Sequence, residues 1–317
     1  MPNLLAHSLI VKRLYNEADD KSLRNHQNAF LHGNLEFLTW GSLGPDPLFY
    51  MGIRPFHGLH LITALKKLGN QIHKTDGKKY FRYLVEQVYT IDNDKEKKRF
   101  EAFVFGQFAH YVLDREAHPY ILYESGFDNN GHITGHYHFD HAFFETHLDC
   151  ALAKKAGMNR FLSHPEETIP LIQSHLEFID IYFVPVLKKT FDMRKLPKHM
   201  YSNAIYNTRH FIESMNRHGK IKRAFLGKCN GLSAMYQPEE PDFRVLNEER
   251  TVWKDPCTGE ECNSSFLELH NKAYRIVYQC YKDILRNGFN YDVFKNYLDG
   301  KNYYGAELNA VRKYKAR

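Results

Sequence analysis

Three residues that can bind a metal ion recur at four-residue intervals in one apolar stretch of the chain. His110, Asp114 and His118 lie within the segment RFEAFVFGQFAHYVLDREAHPY, residues 99–120. At about 100° per residue, this spacing places all three side chains on one face of a helix. Because the helix is apolar on nearly every side, it is expected to be buried, where an unpaired imidazole or carboxylate is unfavourable. The sequence therefore predicts shared metal ions here, with a buried hydrogen-bond network as the alternative.

A second group of ligand types follows on the next predicted helix, residues 138–157. His138, His141, Glu145 and Asp149 occur at i, i+3, i+7 and i+11, which again places them on one stripe. Two helices that each supply histidine and carboxylate ligands are typical of di-metal sites in helical bundles. Imidazole and carboxylate ligands without thiolates are typical of catalytic zinc sites, and the predominance of histidine favours zinc over iron or manganese.

Four further polar residues occur in apolar or constrained surroundings near the N-terminus. His7 lies near the start of a predicted amphipathic helix, and Asp46 lies between Pro45 and Pro47 in a loop. The other two are His57 and His60, at the start of the next predicted helix. These residues extend the set of candidate ligands beyond the two helices.

The elements that must position these residues are helices throughout. Helical periodicity dominates the chain, strand-like alternation is hard to find, and neither a repeat nor a low-complexity segment is visible, so the prediction is a single all-α domain over residues 1–317, built as a multi-helix bundle. The predicted helices are 4–15, 58–68, 77–89, one that starts at the Asn93 cap and is ended by Pro119, 138–157, three or four within 165–236, and 265–286. Residues 237–263 are predicted to be an irregular insertion of the kind that forms lids or binding loops. The tail beyond Gly300 is polar and basic, with little to bury.

The composition restricts the class of protein. A hydrophobic content of 43% supports a sizeable core, and the net charge of +6 is spread over the chain and favours anionic ligands only weakly. Five cysteines without a CxxC pair indicate neither a disulfide framework nor a thiolate zinc site, so free thiols are expected. The absence of an 18-residue apolar run predicts no transmembrane segment, and the N-terminus does not read as a signal peptide. The predicted location is the cytoplasm.

The order of these motifs resembles the zinc-dependent phospholipase C family, which is distantly related to the S1/P1-type nucleases. The resemblance is dense over residues 1–149 and patchy afterwards. It is carried by LLAHSL with His7, GPDPLFY with Asp46, LHLI with His60, HYVLDREAHPY with His110, Asp114 and His118, HAFFE with His141 and Glu145, and later by VWKDPCTGEECNSSF.

The resemblance implies an all-α enzyme that hydrolyses phosphodiester bonds with two or three zinc ions. Asp46 would activate or orient the attacking water, and Asp114 would bridge two metals. The implied ligands are His60 and His110 with Asp114 for the first site, His118, His141 and Glu145 for the second, and His7 for the third. His57 is the alternative to His60 as a ligand. Asp149 and His138 are further candidates, Asp149 as a group that orients an imidazole.

The substrate and the activity leave alternatives open. A phospholipid or a head-group ester is preferred over a nucleotide or nucleic acid, and aromatic residues such as Tyr50, Phe56 and Tyr120 would suit either a choline cation or a stacked base. A metal-binding protein without turnover and a metal-free helical bundle are the other hypotheses. The oligomeric state is not predicted.

Overall fold

The computed structural model confirms an all-α, multi-helix bundle. It describes residues 4–18, 20–51, 59–216, 237–238 and 240–316, and the description excludes the side chains of residues 59–62 and 64. The helices are α1 (Leu4–Ala18), α2 (Lys21–Arg24), α3 (Leu35–Ser42), α4 (Leu59–His73), α5 (Lys78–Val88), α6 (Asp94–Ser125), α7 (Tyr137–Lys155), α8 (Asn159–Ser163), α9 (Gln173–Phe191), α10 (Met200–Asn216), α11 (Phe266–Asn287) and α12 (Tyr291–Lys295). Short 3₁₀ helices span Asp46–Tyr50, Pro165–Thr168 and Phe243–Leu246.

The central element is α6, which is buried from Phe100 onwards along nearly its whole length. It packs against α3 on one side and α11 on another. At the crossing with α3, Gly41 faces Gly106, and a Cβ added at Gly41 would lie 2.1 Å from the carbonyl oxygen of Phe103. Since no side chain fits between them, the two backbones are in direct contact. This close approach holds the loop after α3, which carries Asp46, over the middle of α6.

Two predicted helix ends were wrong. Pro119 lies inside α6, which continues to Ser125. Proline removes one backbone hydrogen bond. The helix is nevertheless buried on both sides of Pro119, as at Ala117 and Ile121, and this packing outweighs the local penalty. The helix predicted over 58–68 continues through Gly69 to His73, because Leu68 and Ile72 extend its buried face.

The first part of the C-terminal tail was also predicted wrongly. Tyr303 is completely buried and Ala306 is 8% exposed, so residues 302–306 pack into the molecule, whereas residues 307–311 are exposed as expected. The side chain of Tyr303 packs edge to face on Tyr111 of α6. The tail thus belongs to the surroundings of the ligand stripe on α6.

The segment predicted to be an irregular insertion contains some regular structure in its described part. Strands β1 (Trp253–Lys254) and β2 (Glu261–Cys262) pair in antiparallel fashion. Ser265 and Glu268 form the predicted capping box at the start of α11. The FLGKCNGLSAMY helix predicted within 217–236 lies outside the described residues.

Two further predictions, on membrane-spanning segments and on cysteines, can be checked within the described residues. Among the described helices, none has both the length and the hydropathy needed to cross a bilayer. Within the described residues no disulfide forms; Cys150 and Cys280 are buried, and Cys257 and Cys262 are partly exposed.

Candidate metal centre

The predicted stripe on α6 forms the base of a polar cluster centred on Asp114. One of its oxygens, Oδ2, lies 3.1 Å from Nε2 of His110 and 3.6 Å from Nε2 of His73. The other, Oδ1, lies 3.2 Å from Nε2 of His7 and 3.7 Å from Nδ1 of His118. Asp114 is only 4% exposed, so four imidazoles surround a single buried carboxylate.

The potential ligand atoms converge in three groups, within each of which they lie no more than 4.8 Å apart. Group 1 is Asp46, His73 and His110; group 2 is His118, His141 and Glu145; and group 3 is His7, His110 and Asp114. Because His110 belongs to both group 1 and group 3, these two groups are parts of one continuous cluster. These are candidate metal sites, and the ligand types alone do not identify the metal.

Group 1 is assembled from three separate elements. Asp46 begins the 3₁₀ helix after α3, and its Oδ1 lies 3.2 Å from Nε2 of His73, the last residue of α4. The same oxygen lies 3.9 Å from Nε2 of His110 on α6. Asp46 is the most exposed member, with 17% of its side chain accessible against 0–1% for the two histidines.

Group 2 is built by α6 and α7 alone. Glu145 Oε1 lies 3.6 Å from Nε2 of His118 and 3.3 Å from Nε2 of His141, which is one helical turn before it on α7. The two imidazole rings stack, with centroids 5.5 Å apart. All three side chains are at least 94% buried.

Three of the histidines form a hydrogen bond to a backbone carbonyl through the ring nitrogen opposite the one that enters the group. In each case Nδ1 donates a hydrogen bond, so that in the neutral, metal-binding form of the ring the Nε2 lone pair is directed into the group. The pairs are His110 with the carbonyl of Ser42 at 2.9 Å, His73 with that of Gly69 at 2.8 Å, and His118 with that of Tyr303 at 2.8 Å. This is the arrangement that metal-binding histidines normally have in proteins.

Several inward-facing atoms of the cluster lack a hydrogen-bond partner among the described residues. They are both ring nitrogens of His7, Nε2 of His73 and His110, Oδ1 of Asp46, Oδ2 of Asp114 and Oε2 of Glu145. Their mutual distances are short, but the geometry is not that of hydrogen bonds. Buried polar atoms almost always have a hydrogen-bond partner in native proteins. The presence of this many atoms without one in a single cluster indicates that a further group binds there.

Electrostatics keep the cluster charged in the absence of metal. Burial lowers the pKa of His110, but the carboxylates of Asp114 and Asp46 outweigh it and raise this pKa to about 9. Burial likewise opposes the charged form of His118, whereas Asp114 and Glu145 raise its pKa to about 9. In turn the histidines hold the pKa of Asp114 and of Glu145 well below the usual range, although burial acts in the opposite direction. A bound cation would replace these protons.

His7 reaches the cluster because the first turn of α1 is anchored on both sides. Its ring stacks on that of His110, with centroids 4.1 Å apart. Asp149 on α7 accepts hydrogen bonds from the backbone amides of Leu5 at 2.9 Å and Ala6 at 3.1 Å. Asp149 had been predicted to orient an imidazole; instead both its oxygens hold the backbone of α1.

The structure places the remaining predicted residues outside the three groups or does not describe them. His138 is exposed and belongs to none of the groups. His57 lies outside the described residues, as does the side chain of His60, which is in the first turn of α4. Thirteen residues separate His60 from His73, or about 20 Å along a helix axis.

His73 is the residue that sequence reasoning missed. It joins Asp46 and His110 in group 1, whereas the first site expected from the resemblance was His60 and His110 with Asp114; because the side chain of His60 is not described, its role as a ligand stays a prediction. Leu65, Leu68 and Ile72, all fully buried, continue the apolar face of α4 past Gly69. This periodicity was the signal that could have placed His73 at the inner end of the helix.

The centre has two neighbouring depressions. A very small one beside group 1 is lined by Asp46, His7 and Tyr50 together with apolar residues. A larger cavity of 420 Å³ lies between the end of α6, α7 and the 3₁₀ helix Phe243–Leu246. Ser125 lines this cavity, and its hydroxyl is 3.4 Å from Nδ1 of His141. Of the aromatics considered from the sequence, Tyr50 lines the small depression, Tyr120 packs in the core and Phe56 lies outside the described residues.

Comparison of the chain with protein-family models, with curated proteins and with solved structures gives no match. A function can therefore be inferred only from the geometry of the centre and from the motif pattern in the sequence.

Proposed function

We propose that this protein is a metal-dependent hydrolase that cleaves phosphodiester bonds with a cluster of two or three zinc ions, in the manner of the zinc-dependent phospholipases C. One observation carries the proposal: buried Nε2 and carboxylate oxygen atoms converge without hydrogen-bond partners, while the opposite ring nitrogens of three histidines are held by carbonyls. Buried polar atoms without hydrogen-bond partners are unfavourable, and bound cations would satisfy them.

The proposed ligand sets follow the three groups. Asp46, His73 and His110 would hold the first ion, His118, His141 and Glu145 the second, and His7 and Asp114 together with His110 the third. Asp114, at the centre, would serve more than one ion, since both its oxygens face imidazoles. His73 replaces His60 in this assignment.

The partial exposure of Asp46 supports a catalytic centre rather than a purely structural one. Structural zinc sites are closed by protein ligands, whereas catalytic sites keep an open position. Asp46 is the one group 1 side chain that solvent reaches appreciably, at 17% exposure. Substrate would therefore approach from this side.

Zinc ions bound here would supply Lewis-acid stabilisation of the phosphate and would activate water for attack at neutral pH. The residues of the chain provide the positioning. The carbonyls of Ser42, Gly69 and Tyr303 fix the imidazoles, and Asp46 would orient the attacking water and accept its proton. In this role Asp46 is the catalytic residue.

The proposed substrate is a phospholipid or a phosphate head-group ester. A nucleotide or nucleic-acid diester is the alternative at the same centre. Tyr50, beside Asp46 and His7, provides an aromatic surface that suits either a quaternary ammonium group or a base.

The test begins with metal content, measured by mass spectrometry on protein purified without chelator or affinity-tag metal. Two or three zinc ions per chain are expected. The same preparation is then assayed with bis(p-nitrophenyl) phosphate, a phosphocholine ester and a dinucleotide. No bound metal, and none taken up when zinc is offered, would overturn the proposal; bound zinc without turnover on any diester would leave a non-catalytic metal-binding bundle.

The Asp46→Asn variant tests whether turnover depends on Asp46 while group 2 keeps its metal. Loss of the proposed base should lower turnover by about a hundredfold or more, while the ion of group 2, which Asp46 does not touch, remains bound. Asp92→Asn, at an exposed position, is the matched control and should retain both activity and metal.

A further inference from the structure

The C-terminal segment returns to the centre and connects its first two groups. The amide of Tyr303 donates to the carbonyl of His73 at 3.2 Å, and the carbonyl of Tyr303 accepts from Nδ1 of His118 at 2.8 Å. One residue of the tail thus contacts a candidate ligand of group 1 and a candidate ligand of group 2. The next residue, Tyr304, is consequently fixed between the two groups.

The ring of Tyr304 lies against both imidazoles. Its centroid is 5.9 Å from that of His73 and 5.3 Å from that of His118. The guanidinium of Arg312 also lies over this ring, 4.7 Å from its centroid, and is itself held by a 2.8 Å hydrogen bond to the carbonyl of Gly131. The ring is therefore held in place by His73, His118 and Arg312.

Tyr304 lies close to the charges of the centre, with its ring beside His73 and His118. The carboxylates of Asp46, Asp114 and Glu145, one from each of the three groups, all act on its hydroxyl electrostatically. Among the described residues, this hydroxyl has no hydrogen-bond partner, and the residue is only partly buried. A neutral phenol that lies beside carboxylates and has no acceptor of its own is available to donate to a ligand.

We propose that Tyr304 is a substrate-binding residue of this centre and that its hydroxyl donates a hydrogen bond to a phosphoryl oxygen held between groups 1 and 2. This inference rests on the proposed function. The tetrahedral phosphoryl group is the chemistry that fits, because a site with bound cations attracts an anion and the tyrosine adds a directional donor to it. Arg312 is a positioning residue, which acts by holding the ring.

The test uses inorganic phosphate as the probe and the zinc-loaded full-length protein. Calorimetric titration should give a dissociation constant about tenfold higher for Tyr304→Phe than for the natural protein, which is the effect of losing one hydrogen bond to a charged group. Zinc content and thermal melting temperature should stay unchanged, because the ring and its packing are preserved. The catalytic efficiency on bis(p-nitrophenyl) phosphate should fall by a similar factor.

Tyr111→Phe is the matched control. It also removes one hydroxyl that contacts the C-terminal segment, a 2.7 Å hydrogen bond to the carbonyl of Lys301, but this hydroxyl does not face the three groups. Its phosphate affinity should equal that of the natural protein. Unchanged affinity in Tyr304→Phe would overturn the inference, and an equal loss in both variants would do so too, since it would trace the effect to the position of the segment.

Measurements on the natural protein alone, without the variants, test the proposed function. If this protein binds zinc but neither phosphate nor any diester, the proposed hydrolase activity and the role of Tyr304 are both overturned. If it binds phosphate and the variant binds it equally well, only the role of Tyr304 is overturned.

Discussion

Groups 1 and 2 contain similar side chains but are assembled in different ways. Group 2 takes all its members from α6 and α7, which follow each other in the chain. Group 1 requires the 3₁₀ helix after α3, the end of α4 and the middle of α6 to meet, and the adjoining group 3 adds α1. Group 2 therefore takes its ligands from one pair of neighbouring helices, with His118 also held by the tail, whereas group 1 exists only when three separate elements meet.

This difference predicts that the two groups respond differently to mutation and to solution conditions. Asp114 belongs to the side of the centre that depends on long-range contacts, since its oxygens meet imidazoles from α1, α4 and α6. It is not a member of group 2, which it reaches only through Nδ1 of His118, at 3.7 Å from Oδ1. Variants can thus be chosen that affect one side and leave the other intact.

The largest effect is expected for Asp114→Asn. Loss of this central carboxylate removes the shared negative charge, so we expect the metal content to fall from two or three ions to about one, retained by group 2, with turnover reduced at least about a thousandfold. Metal analysis by mass spectrometry and a diester assay measure both effects. Asp94→Asn, at an exposed position in the first turn of the same helix, should change neither.

Two outcomes would contradict this view. Unchanged metal content in Asp114→Asn would mean that the carboxylate is part of a hydrogen-bond network and not a ligand. Loss of all metal would mean that group 2 depends on group 1, and the distinction between a locally built and a distantly built group would be wrong.

The same distinction explains how much of the centre is predictable from sequence. His118, His141 and Glu145 were identified from helical spacing because an i, i+4 pair is a local property of one helix. His73 was missed because its place depends on where α4 ends and what it meets. Gly69 suggested an earlier end, and only tertiary packing continues the helix.

The fold was predictable for a related reason. Helical periodicity and caps such as Asn93 and Ser265 are local signals, and they gave the all-α class and several boundaries correctly. Pro119 and the first part of the tail were predicted wrongly because their local preferences are outweighed by burial against distant residues, with Gly305 packed on Pro119. Local rules predict elements well and predict the contacts between them poorly.

The next largest effect tests whether His73 or His60 is the histidine ligand from α4. His73→Ala should lose about one metal ion and most of the activity, because its Nε2 faces both Asp46 and Asp114. His60→Ala, in the first turn of the same helix, should keep the full metal content. Mass spectrometry of the two purified variants side by side decides between them, and the reverse result would restore His60 as the ligand.

A smaller effect concerns the docking of α1, which brings His7 to the centre. His270 donates from Nε2 to the carbonyl of Ala6 at 2.9 Å, and burial lowers its pKa to about 4. Between pH 4 and its unfolded value of about 6.5, the unfolded chain binds more protons, so the free energy of unfolding decreases as the pH falls through this range. The full contribution of His270 to the free energy of unfolding is about 3 kcal/mol.

Urea unfolding of metal-free protein at pH 7 and pH 4 measures this contribution. His270→Gln lacks the titrating group. From pH 7 to pH 4, its free energy of unfolding should therefore fall by about 3 kcal/mol less than that of the natural protein. His164→Gln, at an exposed histidine, is the control and should behave like the natural protein. Equal losses in the natural protein and His270→Gln would show that His270 does not make α1 docking sensitive to pH.

The smallest effect is expected where the tail joins the two groups. Gly305 has a φ of +71°, and a Cβ there would lie 2.5 Å from Cγ of Pro119 and 2.6 Å from the carbonyl oxygen of Arg115. Gly305→Ala should therefore destabilise the protein by about 2 kcal/mol through strain and overlap, measured as a lower melting temperature. Gly135→Ala has a similar φ of +59° with nothing within 4 Å, so it isolates the strain, at about 1 kcal/mol. A larger loss at Gly305, together with weaker zinc binding by group 2, would show that the tail holds His118 in place; equal losses at the two glycines would show that the tail can shift without disturbing either group.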